Sequence, residues 1–421
     1  MFYFIVSYLY KEIYGLFLLK KGNNHRGRIC GVLRTMDKKK ILVTFIESGF
    51  GHITSARAIS DSLKKKYGDV YDIEDCDIMK DNEKTVTFEK FLTRQTQATN
   101  KIHGYGFMMF AVMEAFGGEK FLEFTHKTIF KSFVDATVEA FSEHKPDCIV
   151  STHYFITFCA VEYKRTRDPN CVVVTYNPDN NVHPWWDNRD GIFITNNIFA
   201  TREAVRKRSF STKDCKTVNF TARQDILECT ETKKTLREKY GIDENEFCVV
   251  VADGGYALGK CKSVVNSLCR THKRITIVAV AGKNEKLYDY FMKKKLKENV
   301  TLIPLSFTEN IFEFYKLADL FITKAGPNSV LDSVFVGTPV LIDYYPHPIE
   351  KATKRLFVDK YKCGEYISSP YFIRKRVEEL IDDRSPLITY AENTAKFRKD
   401  CNGADEIADI INKTLRRKDD L

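Results

Sequence analysis

TKAGPNSVLDSVFVGTPVLIDYYPHPIE, residues 323–350, follows a short apolar run, Ala318 to Ile322, that reads as a buried strand ending at a turn signal. Gly326 and Pro327 break that strand. Pro327 suits the first turn of a helix, because it lacks the N–H that such a position leaves unpaired. Val330, Leu331, Val334 and Phe335 then recur at helical spacing. Gly337-Thr338-Pro339 closes the helix, and Val340-Leu341-Ile342 starts the next parallel strand. The turn Gly326-Pro327-Asn328-Ser329 therefore aims a helix N-terminus at the carboxyl edge of a sheet. Free N–H groups and the helix dipole favour phosphate there, and Asp332 lies within reach of ribose hydroxyls. The geometry implies a nucleotide site.

Working outward, the same alternation fills the chain. Strands are read at Ile41–Phe45, Asp147–Val150, Cys171–Thr175 and Ile192–Thr195, with helices between them, the first from about Thr54. After about residue 215 the pattern restarts at Phe247–Ala252, Thr276–Ala281, Val300–Ile303, Leu320–Thr323 and Val340–Ile342. A chain of 421 residues exceeds what one core usually supports, so two domains are expected. The division expected is an apolar extension (1–35), a first Rossmann-like domain (36–215), a second (216–385) and a C-terminal helix (386–421) bearing Ile407, Ile410 and Ile411.

The 66 Lys and Arg against 56 Asp and Glu leave a basic excess of +10, suited to phospholipid headgroups or a nucleotide. Nucleic acid is not expected, since no motif for it is present. Twelve cysteines without a C-x-x-C pair suggest reduced thiols in a cytosolic protein, with neither a zinc site nor a disulfide framework indicated. Residues 1–21, MFYFIVSYLYKEIYGLFLLKK, are too short and too interrupted by Lys11 and Glu12 for a span of about 20 apolar residues. They lack the marks of a secretory signal. Two readings stand for them: an aromatic interfacial helix ending in Lys20-Lys21, or an extension without fixed structure before a start near Met36.

Three further segments carry chemistry. Glu47-Ser48-Gly49-Phe50-Gly51-His52 is a Gly-rich strand-to-helix turn closing on a titratable imidazole. Thr54 replaces the third glycine of a dinucleotide fingerprint, which argues against NAD. Ala252-Asp253-Gly254-Gly255-Tyr256-Ala257-Leu258-Gly259 offers backbone N–H groups to a diphosphate. His183-Pro184-Trp185-Trp186 sets aromatic faces beside a histidine, suited to stacking on a sugar or covering an acyl chain.

Together TKAGPNSVLDSVFVGTPV, ESGFGHITSARAI and AGKNEKL (residues 281–287) resemble GT-B glycosyltransferases, in the branch of monogalactosyldiacylglycerol synthases, processive diacylglycerol glucosyltransferases and the lipid II-forming transferase. The resemblance implies two Rossmann-like domains facing across a cleft. It implies a UDP-sugar donor substrate, no cofactor, and an inverting reaction without a metal, in line with the lack of an Asp-x-Asp loop motif. It gives His52 and Glu47 catalytic roles, and Gly51, His183 and Trp186 contacts to the acceptor. It sets Gly254, Gly255, Lys283, Asn284, Arg223, Gly326, Pro327, Asn328, Ser329, Asp332 and Glu350 around the donor. Asp179 stands near a position where the family has a Thr-Asp pair. The acceptor implied is diacylglycerol or a related membrane lipid, reached by peripheral docking on an anionic cytoplasmic membrane face. Departures fall where substrate is held: Asp332 replaces Glu, Ile349 replaces Gln and Thr353 replaces Asn. They leave open another glycan acceptor, or a binding subunit without activity.

Overall fold

Apolar runs buried on both faces make the central strands of two parallel sheets, each covered by helices. The computed structural model describes residues 38–46, 50–101, 104–116, 119–187, 189–399 and 401–419. The 1–35 extension and Glu47 lie outside them. The first sheet has the order β2-β1-β3-β4-β5-β6. Its strands are β1 (Lys40–Thr44), β2 (Asp72–Cys76), β3 (Cys148–Ser151), β4 (Val172–Asn177), β5 (Ile192–Thr195) and β6 (Cys215–Thr217). The second has the order β12-β11-β10-β7-β8-β9. Its strands are β7 (Cys248–Ala252), β8 (Ile275–Gly282), β9 (Val300–Ser306), β10 (Leu320–Lys324), β11 (Val340–Tyr344) and β12 (Gly364–Tyr366).

Every strand pair within the sheets is parallel, and each sheet reverses its winding once. In the first, the chain moves from β1 to β2 on one side and returns to β3 on the other. In the second, β8 and β9 lie on one side of β7 and β10 on the other. Crevices open at such reversals, beyond the carboxyl ends of the strands. The loops after β1, β3, β7 and β10 therefore mark the two ligand positions.

The helices that position the site are α1 (Phe50–Tyr67), α2 (Tyr105–Phe116), α3 (Lys131–His144), α4 (Tyr154–Thr166), α5 (Pro327–Phe335), α6 (Pro348–Lys354) and α7 (Gly403–Asp419). Pro327 occupies the first turn of α5, and Val330, Leu331, Val334 and Phe335 bury its inner face. On α7, Ile407, Ile411 and Leu415 recur every fourth residue and enter the core of the first sheet beside Ile41, Val43, Ile59 and Leu63. Each such side chain contributes roughly 1.5–3 kcal/mol by burial. Tyr67 and Tyr71 of α1 and the loop after it donate to Asp409 (2.6 Å) and Asn412 (2.9 Å), fixing the register of that packing.

Some boundaries differ from the sequence reading. The helix expected from about Thr54 begins at Phe50, so His52 sits in its first turn. The strand expected at Ala318–Ile322 runs Leu320–Lys324, because it pairs with Val249–Val251 of β7. Strands β2, β6 and β12 have no apolar run to announce them: β2 reads DIEDC, pairs only with β1, and forms an edge. Among the described residues no helix is long and apolar enough to cross a membrane.

Candidate functional site

The carboxyl ends of the two sheets face each other at the N-termini of α1 and α5. A Cβ added to Gly51 would lie 2.5 Å from Asn328 Nδ2, so the absence of a side chain lets the two turns approach. Asn180 donates to Thr353 across the same cleft (3.0 Å), and the Phe110 ring of α2 stacks on His347 (5.9 Å).

On the first lip, His52 Nδ1 lies 2.5 Å from the Thr152 carbonyl. A carbonyl only accepts, so Nδ1 carries the proton and Nε2 presents a lone pair. The Thr152 hydroxyl returns a bond to the His52 carbonyl (3.0 Å), holding the pair from both sides. His153 caps α4 by accepting from the Phe155 N–H (3.3 Å), and its ring lies edge-on to His52 at 4.9 Å. His183 accepts from the Trp185 N–H (3.2 Å) and meets the edge of Tyr154. Burial lowers the basicity of all of these rings. His52 falls below the ordinary histidine value, against the pull of its bond to Thr152. His153 falls well below it, through burial and then the nearby His52 and His183. His183 is pushed down to about 3 by burial and then Arg208, His52 and His347. His347, from the second domain, is lowered by burial too. The imidazole expected to titrate near physiological pH is thus a neutral base, one of four gathered at a largely buried spot.

On the second lip, Gly282 adopts φ +57°, and a Cβ there would collide with the Gly255 carbonyl. The Lys283 N–H donates to that same carbonyl (2.8 Å), so the Gly254-Gly255 loop and the Gly282 turn are locked together. Lys283 extends over the rings of Tyr256 and Phe307. Gly326, Pro327 and Asn328 form the first turn of α5, and Ser329 bonds to the buried Tyr315. Glu350 is paired with Lys324 (2.7 Å) and lies 3.8 Å from His347. Asp253 accepts from the Cys261 and Lys324 N–H groups (2.5 and 3.1 Å). Burial pushes Asp253 upward and Asp343 far upward, and brings Asp332 and Asp179 to about 7. The neighbouring Glu350 adds to the rise at Asp179, which places that residue opposite the second lip. Thr323 Oγ1, both Asp343 oxygens, His347 Nδ1, Glu350 Oε2 and Asn180 Oδ1 are buried without a hydrogen-bond partner among the described residues. Such atoms fit a polyhydroxylated ligand that bonds to them.

Three of the expected site residues are also engaged by the surrounding packing. Trp186 is buried in the core with Val182, Phe193, Ala200 and Phe210, and its ring packs against His183 (5.5 Å) from that side. Asn284 caps the Glu285–Met292 helix by accepting from the Leu287 N–H. Arg223 is matched by Asp225 (2.9 Å), donates to the Glu309 carbonyl (3.0 Å) and lies over Phe312, which leaves it a neighbour of Asp332 rather than a free phosphate clamp. The sequence reading missed Thr152, His153, Lys324, Asp343 and His347 as site residues. The signal for several was available, since polar residues directly after a parallel strand lie at the ligand edge.

Residues 52–211 match the family Monogalactosyldiacylglycerol (MGDG) synthase, and residues 259–403 match the Glycosyltransferase family 28 C-terminal domain. The chain is 23% identical over 405 residues to monogalactosyldiacylglycerol synthase 1 of Arabidopsis thaliana, covering 91% of this chain and 72% of that one. It is 22% identical over 386 residues to the processive diacylglycerol beta-glucosyltransferase of Bacillus pumilus, covering 89% and 95%. Its fold matches the HepE protein of Anabaena, solved in complex with UDP-glucose, with a TM-score of 0.54 and 14% identity over 90% of this chain and 99% of that one.

Proposed function

We propose that this chain, which belongs to the GT-B glycosyltransferases of the monogalactosyldiacylglycerol synthase and diacylglycerol glucosyltransferase family, transfers a hexose from a UDP-sugar to diacylglycerol or a related membrane lipid. The observation that carries this reading is the approach of Gly51 to Asn328, which sets a neutral imidazole against a helix N-terminus across the cleft. His52 Nε2 accepts the proton of the acceptor hydroxyl as that oxygen attacks the anomeric carbon. The bond to the UDP oxygen breaks on the opposite side, so the anomeric centre inverts. Negative charge developing on the diphosphate meets the N–H groups of α5 and the Gly254-Gly255 loop. These groups supply the stabilising field, so the proposed reaction needs no metal and no cofactor. Lys324, Glu350 and the unpartnered polar atoms around them receive the sugar hydroxyls. Because Thr353 is engaged by Asn180, Asn180 and Asp179 take part in selecting the sugar.

On the acceptor side, Met108, Phe116 and Phe124 are exposed apolar side chains on and beyond α2. With the net charge of +10 they fit peripheral docking on an anionic membrane, at its cytoplasmic face. The test is incubation of the full chain with each common UDP-sugar and diacylglycerol-containing vesicles, with mass spectrometry of the lipids. One new glycolipid and stoichiometric UDP are expected. If UDP causes no thermal shift and no lipid gains a hexose, the proposal fails.

A further inference from the structure

Away from the cleft, at the free edge of the first sheet, Glu74 and Cys76 of β2 and His144 at the end of α3 come together. Strand alternation puts Glu74 and Cys76 on one face of β2, and His144 arrives as the last residue of its helix. One ligand atom from each residue lies within 4.8 Å of the other two. These are a carboxylate oxygen, a sulfur and a ring nitrogen, none of them fully buried.

Two further observations bear on what the cluster can hold. First, His144 is oriented from behind. Its Nε2 lies 2.8 Å from the Asp81 carboxylate, and its Nδ1 lies 3.4 Å from that of Glu74. A carboxylate fixes the proton on Nε2, so in the neutral ring the Nδ1 lone pair faces Glu74 and Cys76. A carboxylate behind a histidine is the usual way a protein sets the tautomer of a metal ligand. Second, the cations around the cluster are arranged on its carboxylates rather than on the thiol. Glu74, Asp75, Asp77 and Asp81 all act on the Cys76 sulfur. The facing cations are Lys40 on Glu74 (2.6 Å), Lys64 on Asp75 and Lys80 at 3.8 Å from Asp77, and each answers a carboxylate rather than the thiol. A dication placed among the three ligand atoms would match a thiolate and a carboxylate at once.

We propose that Glu74, Cys76 and His144 bind a borderline divalent transition metal of the zinc type, with Asp81 as the positioning carboxylate behind His144. One sulfur, one imidazole nitrogen and one carboxylate oxygen form a mixed set that zinc accepts, with water completing a tetrahedron. On binding, Cys76 gives its thiol proton to solvent, as does His144 its Nδ1 proton where the ring is charged. The metal would tie the end of α3 to the edge of the sheet. The Cys76 carbonyl accepts from the Phe45 N–H (3.4 Å), so the brace lies beside the strand that leads to the Gly-rich turn. It is a site apart from the transfer reaction.

The test uses the full chain, stripped with a chelator, dialysed and titrated with Co²⁺ alone. One Co²⁺ per chain is expected, with a near-ultraviolet thiolate-to-cobalt band that Zn²⁺ displaces. Cys76→Ser should abolish the band. Asp81→Asn should keep the band while weakening affinity 10- to 100-fold. If Cys76→Ser folds poorly by circular dichroism, His144→Gln serves in its place and should lose the stoichiometric binding. A wild-type chain without the band, or a band undiminished in the folded ligand variants, overturns the proposal.

Discussion

On the lip formed by the first sheet, burial takes the charge from three histidines and from Asp179; on the lip formed by the second, it takes the charge from several aspartates and from His347. His52, His153 and His183 are held neutral by lost hydration, while Asp332 and Asp343 are driven toward their protonated forms by the same cause. Both lips use one backbone device, a strand turning into a helix N-terminus. The first adds a lone pair at His52, and the second adds Pro327 and a run of N–H groups. The contrast teaches that, among the described residues, the polarity of this cleft comes from fixed dipoles and paired charges such as Lys324–Glu350, more than from free side-chain charges. A site of that kind needs little reorganisation when charge develops on a leaving diphosphate.

The largest expected effect breaks the first lip. His52→Ala should lower kcat by about 10²- to 10⁴-fold, the usual share of a positioned base, while the thermal shift caused by UDP stays unchanged. Equal losses in turnover and UDP binding would place His52 on the donor side instead. Because burial lowers its basicity, the acid limb of kcat/KM should fall below pH 6.5.

Next comes the ion pair of the second lip. Glu350→Ala removes the carboxylate paired with Lys324, whose side chain is 13% exposed, and should cost up to about 3–5 kcal/mol in urea unfolding. A cost near zero would mean that Lys324 reaches solvent or another carboxylate in solution.

The two lips should also answer pH with opposite signs. Folded Asp332 holds its proton up to about pH 7, above its value in the unfolded chain. Its burial is therefore free below about pH 4 and costs up to about 4 kcal/mol by pH 8. Folded His183 refuses a proton until about pH 3, so its burial is free above pH 6.5 and costs progressively more on acidification. Asp332→Asn should raise Tm at pH 8 and leave it unchanged at pH 4, and His183→Gln should flatten the loss of stability below pH 6. Parallel shifts in both variants would show that the two lips share one environment.

The smallest effect tests their meeting point. The Cβ of Gly51→Ala meets only the tip of the Asn328 side chain, which can swing away, so the stability loss should stay near about 1 kcal/mol. Activity should fall several-fold, because the swing disturbs the α5 turn. Unchanged turnover would show that the lips do not close to this distance during transfer.

Much of this was legible in the chain. The apolar runs at β1, β3, β4, β7, β8, β10 and β11 named themselves, because a strand buried on both faces must be apolar along its whole length. The Gly-rich turns were equally plain, since only a few residue types suit a strand that turns at once into a helix. What escaped was whatever depends on a neighbour far along the chain. β2 is a strand because β1 lies beside it. Trp186 reads as a stacking platform until β5 and its following helix close over it. Asn284 reads as a ligand, and its amide oxygen is taken up in capping the helix that follows it.

The amino-acid sequence by itself determined the two successive α/β units and the strand-to-helix turn at Gly326, because period, turn residues and strand hydrophobicity are local properties. Only the tertiary structure decided that four histidines from distant segments meet in one largely buried cluster, that acids and bases there lose their charge, and that Gly51 comes to rest against Asn328. Proximity and dehydration belong to the packed state, and no stretch of chain contains them alone.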